Sequence, residues 1–290
     1  MQLFDLHADT LFRIYTENLS PLSTKLSVTP EKALFLEEYK QFLAVWIPDD
    51  IRREKAFAFF KNCADIFKKY YEPLNNENRQ FYLSVENGSV IGGDVSKISV
   101  LKEYGVKTLT LVYNEDNELG SGAFSHTRKG LTDTGIKAVK ELENNNIFVD
   151  LSHSSLYTFY DVAKISSKPM VATHSNSYKI CPHKRNLTDE QFKIICQSGG
   201  VVGVNFYPPF LNEKANEAKV DDVIKHIYHF LSLGGEDHIC IGSDFDGCEP
   251  LCELDSIEKM PFFYDSMLKL GFNEQLIQKI LYYNAHNFFS

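Results

Sequence analysis

Eight short apolar runs, each followed by a longer stretch of mixed polarity, set the rhythm of this chain. They are Leu3–His7, Phe42–Ile47, Phe81–Glu86, Thr108–Tyr113, Ile147–Ser152, Met170–His174, Val201–Phe206 and Ile239–Asp244. Each has the length and the β-branched and aromatic content of a buried strand. Their apolar character is continuous rather than alternating, which predicts a parallel sheet covered on both faces. The stretches between them read as helices. From Ile51 to Tyr70, apolar residues recur every three or four positions (Ala56, Phe59, Phe60, Cys63, Ile66, Phe67) and form one face. Thr188-Asp189-Glu190-Gln191 opens another helix as a capping box, the hydroxyl covering free amides while Gln191 reaches back. Thr132 to Glu143, Val220 to Leu233 and Asn273 to His286 follow the same pattern. No Gly-, Ser- or Pro-rich linker interrupts this alternation, and no short repeat underlies it. The expectation is therefore an α/β fold: a single (β/α)8 barrel of the TIM type spanning residues 1–290 as one domain. Leu19–Glu38 fits least well and reads as an inserted loop.

Composition narrows the classes further. A length of 290 residues would admit two domains, but α/β barrels of about 250 residues form one. Twenty-two Phe and fifteen Tyr supply a large core, which rules out disorder. Thirty basic against 39 acidic side chains give a net charge of −9, with no basic tract, so nucleic acid is not an expected partner. The six cysteines include no Cys-x-x-Cys pair, and only Cys248 and Cys252 lie close together; they read as buried, reduced thiols. No apolar run is long enough for a membrane span. Met1–His7 carries charge where a secretory leader needs an unbroken apolar stretch, so the expected compartment is the cytoplasm.

The polar residues at the ends of the runs carry the chemistry, because barrels of this type place functional groups at the carboxyl ends of their strands. His7 ends the first run with Asp9 two residues on, Glu86 ends the third, Tyr113 the fourth and His174 the sixth. His153 follows the fifth run, and Asp244 ends the eighth. In extended backbone His7 and Asp9 share a face and can grip one cation, with Asp5 behind them as a hydrogen-bonding carboxylate. Glu86 is an acid at the end of an apolar strand, and an unpaired carboxylate buried there is costly, so something positive should meet it. The bland alternative is a salt bridge to a loop Arg or Lys. His153 and His174 lie on sequential strands, hence adjacent ones. Opposite Glu86 they complete a second cation site, with Glu86 bridging ions about 3.5–4 Å apart. Imidazole with carboxylate suits zinc and also admits manganese, cobalt or iron. Asp244, in a Gly-Asp-rich turn of a kind common for steric reasons alone, stands where a base near the metals belongs. Arg185 reads either as a solvated loop arginine or as a planar clamp for a substrate carboxylate. The remaining six histidines read as structural or solvated.

Taken together, these segments resemble the membrane dipeptidase (renal dipeptidase) family, peptidase family M19 of the amidohydrolase superfamily. The likeness runs from Asp5 to beyond Gly247. It is most specific in Gly130-Leu131-Thr132, Asp150-Leu151-Ser152-His153, Thr173-His174-Ser175-Asn176, Arg185 to Glu190, Gly199 to Phe206 and the Gly242-to-Gly247 turn. The resemblance implies two zinc ions: His7 and Asp9 on one, His153 and His174 on the other, and Glu86 shared. It further implies that Asp244 handles protons, that Arg185 holds the substrate's terminal carboxylate, and that the substrates are small dipeptides; the chemistry expected of two cations sharing a water is attack by the resulting hydroxide on the peptide carbonyl. It suggests a homodimer. Asp246, like Asp244, is a candidate for the substrate ammonium, and Tyr207 for a wall or hydroxyl contact. The chain departs from the family in one place. Better-known members carry a histidine thought to steady the tetrahedral intermediate where this chain has Tyr113 followed by Asn114. A phenol stays neutral at pH 7 and donates a hydrogen bond without supplying charge. That departure keeps a rival activity in view, lactam, lactone or deaminase chemistry on the same metal pair. A non-catalytic metal-bearing binding protein is the more distant alternative.

Overall fold

The computed structural model describes residues 1–290. Eight parallel strands close into a barrel in chain order, each paired with its sequence neighbours and the first with the last. The strands are β1 (Gln2–Asp5), β2 (Glu38–Trp46), β3 (Arg79–Glu86), β4 (Val106–Thr110), β5 (Phe148–Asp150), β6 (Val171–Ala172), β7 (Val201–Val204) and β8 (Ile239–Ile241). The helices are α1 (Thr10–Thr16), α2 (Glu54–Tyr70), α3 (Lys97–Glu103), α4 (Asp133–Asn144), α5 (Leu156–Ile165), α6 (Asp189–Gln197), the short α7 (Pro208–Leu211), α8 (Val220–Ser232), α9 (Met260–Lys269), α10 (Glu274–Gln278) and α11 (Asn284–Phe289). This is the (β/α)8 barrel that the apolar runs predicted. The capping box at Thr188 is present, with Thr188 and Gln191 exchanging hydrogen bonds.

Neighbouring residues on a strand belong to different cores. Leu3, Leu43, Ala172, Val202 and Ile241 join the 65-residue cluster that also contains the buried faces of the helices, among them Phe60, Phe67 and Phe230. Phe4, Phe42, Val171, Val201 and Cys240 form a smaller cluster inside the barrel. Phe288 and Phe289 of α11 seal the floor of that interior, with ring centroids 4.8 Å from Phe148 and from Phe42 respectively. Both sheet faces are apolar, which is why the runs showed no alternation.

Three local departures have physical causes. The stretch expected as one helix from Asn273 to His286 is broken by a π-helical turn at Lys279–Tyr283. That wide turn buries Ile280, Leu281 and Tyr282 in succession, which 3.6 residues per turn cannot do on one side. The stretch from Leu19 forms no helix or strand until β2 opens at Glu38, but it is not a solvated insertion: Leu26, Val28, Ala33 and Leu36 are buried in the main core. Finally, every strand but β3, which ends at Glu86 as expected, stops short of the end expected for it, β4 at Thr110 rather than Tyr113. At the rim, side-chain carboxylates take over from ladder carbonyls. Asp5 accepts the backbone N–H of His7 and Ser243, and Asp150 those of Ser152 and Thr173. All six cysteines are free; Cys63, Cys181 and Cys240 are buried as expected, whereas Cys252 is exposed. No helix is long and apolar enough to cross a membrane.

Candidate metal centre

The polar residues beyond the strand ends converge. Glu86, the last residue of β3, divides its two oxygens between two groups of imidazoles. Oε2 lies 3.7 Å from Nε2 of His7, while Oε1 lies 2.7 Å from Nε2 of His153 and 3.4 Å from Nε2 of His174. Asp9 Oδ2 is 3.4 Å from His7 Nε2, and the Nε2 atoms of His153 and His174 are 3.0 Å apart. Ligand atoms of His7, Glu86 and His174 fall within 4.8 Å of one another, as do those of His7, Asp9 and Asp244. Three histidines and three acids from β1, β3, β5, β6 and β8 thus meet at one rim.

Backbone strain places two of them. His153 and Asp244 have φ of 66° and 65°, in the left-handed region where a side chain other than glycine's is disfavoured. Each is held there by neighbours: the His153 carbonyl accepts from Ala123, and the Asp244 amide donates to the His7 carbonyl. The far ring nitrogens are also fixed. His153 Nδ1 donates to Asn114 Oδ1 at 3.0 Å, and His174 Nδ1 is 3.0 Å from Thr173 Oγ1, which donates to Asp150 at 2.5 Å. Such partners choose the tautomer and aim the Nε2 lone pair inward.

The electrostatics ask for a cation. Burial and the charges of Glu86 and Asp244 push the Asp9 carboxyl up to about 7 against the pull of His7. Burial likewise raises Asp244, with Glu86 adding to it. Burial works against a charge on His7, yet Asp9 and Glu86 outweigh it and lift the imidazole well above its ordinary value. Burial and positive neighbours keep His174 and His153 neutral, His153 falling to about 4. The polypeptide alone would therefore recruit protons to balance its acids. His7 Nε2 and Asp9 Oδ1 are buried without a hydrogen-bond partner. Nε2 nitrogens and carboxylate oxygens are the donors that zinc and related divalent ions take, so the residues fit a metal pair.

A cleft of ≈ 450 Å³ opens over this cluster and is lined by Asp9, Glu86, His153 and Asp244. Tyr113 and Tyr207 also line it. The Tyr113 ring lies 4.4 Å from that of His153, and burial beside Glu86, Asp244 and Asp9 raises its phenol, which stays neutral. Asp244 is steadied by Asn205 Nδ2, which donates to its Oδ2 at 2.9 Å. Arg185 takes a different position from a simple cleft residue. It is 4% exposed, donates to the His174 carbonyl at 3.4 Å and faces the Phe210 ring, while its Nε has no partner and no carboxylate pairs with it. It lines an adjoining cavity that meets the cleft at His153. Asp246 has to be reassigned. Its oxygens accept from Thr10 Oγ1, Arg13 Nη1 and the Ser27 amide, so it ties α1 and the following loop to the eighth strand instead of meeting a substrate ammonium. Glu249 does line the cleft. Sequence reading gave no role to Asn114, Thr173, Asp150 or Asn205; only their positions next to the strand ends distinguished them.

A closed parallel barrel with histidines and acids gathered at its carboxyl rim defines the class of barrel metallohydrolases. Within that class, a model of the membrane dipeptidase family (peptidase family M19) matches residues 51–289, and the chain belongs to that family. It is 32% identical over 209 residues to an uncharacterized Klebsiella pneumoniae protein from the pqqA 5′ region, covering 69% of this chain and 77% of that one. It is 34% identical over 196 residues to an uncharacterized dipeptidase of Schizosaccharomyces pombe, covering 65% of this chain and 46% of that protein. Among solved structures it resembles dipeptidase AC, an M19 metallopeptidase, with a TM-score of 0.91 at 26% identity over 99% of this chain and 97% of that chain.

Proposed function

We propose that the protein is a binuclear zinc dipeptidase that hydrolyses the amide bond of small dipeptides. The division of Glu86 between His7 on one side and His153 with His174 on the other carries this reading, because one carboxylate reaching two groups of imidazoles is the geometry of a shared bridge. Bound there, two divalent ions would lower the pKa of a shared water to about 7 and polarise the scissile carbonyl. His7 and Asp9 would hold one ion and His153 and His174 the other, with Asn114 and Thr173 fixing the rings.

Asp244 takes the proton from the attacking water and returns it to the leaving amine. Burial raises its affinity for that proton, and Asn205 leaves its second oxygen free for the transfer. Tyr113 borders the cleft as a neutral donor for the developing oxyanion. Arg185, a buried guanidinium without a carboxylate, takes the substrate's terminal carboxylate across the wall shared by the two cavities, and Glu249 meets the ammonium. A cleft of ≈ 450 Å³ suits a substrate of two residues. Tyr113 supplies no positive charge, which favours lactam or lactone opening as the second reading.

The test is a dipeptide panel with the zinc-loaded protein, scored by release of free amino acids, with the metal counted by elemental analysis. Hydrolysis with two zinc ions per chain is expected, and Arg185→Met should raise KM by about 10- to 100-fold, the worth of a lost charge-assisted hydrogen bond. Turnover of a lactam or lactone with no dipeptide cleaved would replace peptidase with the second reading. A dipeptide that stays bound and intact with both sites filled would make the protein a binder.

A further inference from the structure

The cavity behind Arg185 has a chemistry of its own. Its volume is ≈ 480 Å³, and three cations line it, Arg128, Lys184 and Arg185, with no carboxylate among its lining residues. That is unexpected in a chain of net charge −9. The cavity is also built for a ligand. Arg185 is almost fully buried, with its Nε unpartnered, and the Ser154 hydroxyl on the same wall is buried without a partner as well. Leaving such donors unpaired is costly unless a ligand pairs them. Lys184 and Arg128 are exposed at the cavity's edge, where they remain hydrated. The cavity joins the catalytic cleft at His153, which lines both, and Lys184 sits with its Nζ 5.6 Å from the ring of Phe124, a residue of the cleft wall.

We infer that this cavity receives the side chain of the substrate's C-terminal residue and selects an acidic one. The inference rests on the dipeptidase reading above. With the α-carboxylate on Arg185 at the shared wall, a side chain one or two methylenes long extends away from the metals, toward Ser154, Lys184 and Arg128. A second carboxylate there meets two further cations, while an amide of the same shape meets the same groups without the charge.

Rates are measured on Ala-Asp and Ala-Glu against Ala-Asn and Ala-Gln, with L and D second residues, for the zinc-loaded enzyme and a Lys184→Gln/Arg128→Gln double variant. The readout is the ratio of acidic to amide substrate within each enzyme, so a general loss of activity cancels. The wild type should favour the acid by about tenfold in kcat/KM, mainly through KM, since charge-assisted bonds exceed neutral ones and exposed cations deliver only part of that gain. The ratio should shrink at high salt, fall to near one in the double variant and return in Lys184→Arg/Arg128→Lys. A wild-type ratio near one, or a ratio unchanged in the double variant, overturns the inference. If no dipeptide is cleaved, the dipeptidase reading fails separately. Calorimetric binding of N-acetylglutamate against N-acetylglutamine then decides for the cavity: preference for the acid, lost in the double variant, upholds it, and equal binding overturns it. Equal competition by inorganic phosphate would show that the cavity takes free anions and not a side chain, and would also overturn it.

Discussion

Gly247→Ala is the smallest change that should disable the centre without touching any of its ligands. A methyl group added at Gly247 would stand 2.0 Å from Oδ2 of Asp9 and 2.6 Å from Oδ1 of Asp244. The backbone at this glycine is not left-handed, so alanine fits its conformation and only the space is contested. To restore ordinary contact at 3.4 Å the Asp9 oxygen must retreat by about 1.4 Å. Asp9 cannot easily yield, being 3% exposed with His7 beside it. A misplacement of about 1 Å in a catalytic group costs on the order of 100-fold. The expected result is a fall in kcat/KM of about 100-fold or more with weaker zinc binding. The melting temperature of the metal-free protein should change little, because alanine narrows the unfolded ensemble and so offsets part of the local strain. The assay pairs dipeptide hydrolysis with zinc content after dialysis and a calorimetric melt. Retention of full zinc and of activity within about threefold of wild type would show that Asp9 and Asp244 do not stand where the metal chemistry needs them.

Tyr113→Phe should lower kcat by about 10²-fold with little change in KM if the phenol donates to the oxyanion; unchanged turnover removes it from the mechanism. Asn114→Leu keeps the bulk but removes the acceptor that fixes His153, so zinc affinity measured by competition with a chromogenic chelator should fall by about 10- to 100-fold. An affinity equal to wild type would mean the ring is held by packing alone. Stripping the metals should abolish activity reversibly and lower the melting temperature, because the buried acids lose their counter-charge. At free zinc about 1,000 times its dissociation constant the metal is worth about 4 kcal/mol, and an identical melt with and without zinc would speak against a bound ion.

The barrel was legible because burial on both faces leaves an unbroken apolar signature, and eight such runs in alternation with helices leave few arrangements. The rim was legible for a related reason: a charged residue at the end of an apolar run, such as Glu86, has no cheap place to go except toward a partner. What escaped is what depends on side chains far apart in the chain. Asp246 and Asp244 sit in the same turn with the same left-handed φ, yet one faces the cleft and the other faces Thr10 and Arg13. Nothing in the local pattern separates them. The buried face of the stretch after Leu19 was missed because irregular backbone has no period to detect. Three consecutive buried residues in a π-turn defeated a reading based on 3.6 residues per turn. Asn114 and Thr173 are short polar residues of the kind found in any loop, and only proximity to an imidazole gives them a task.

The barrel's seam sets a timetable for its own assembly. Strands β1 and β8 share a single register pair, Asp5 with Ile241, and closure beyond it relies on contacts such as Ser243 to Asp5, 238 residues apart in the chain. His7 and Asp9 lie on one side of that joint and Asp244 on the other. On a nascent chain His7 and Asp9 emerge well before the eighth strand, and they gain Asp244 as their acidic companion only after that strand docks. Contacts so remote in sequence are entropically late, so this half of the candidate centre comes together near the end of folding, as the ring closes.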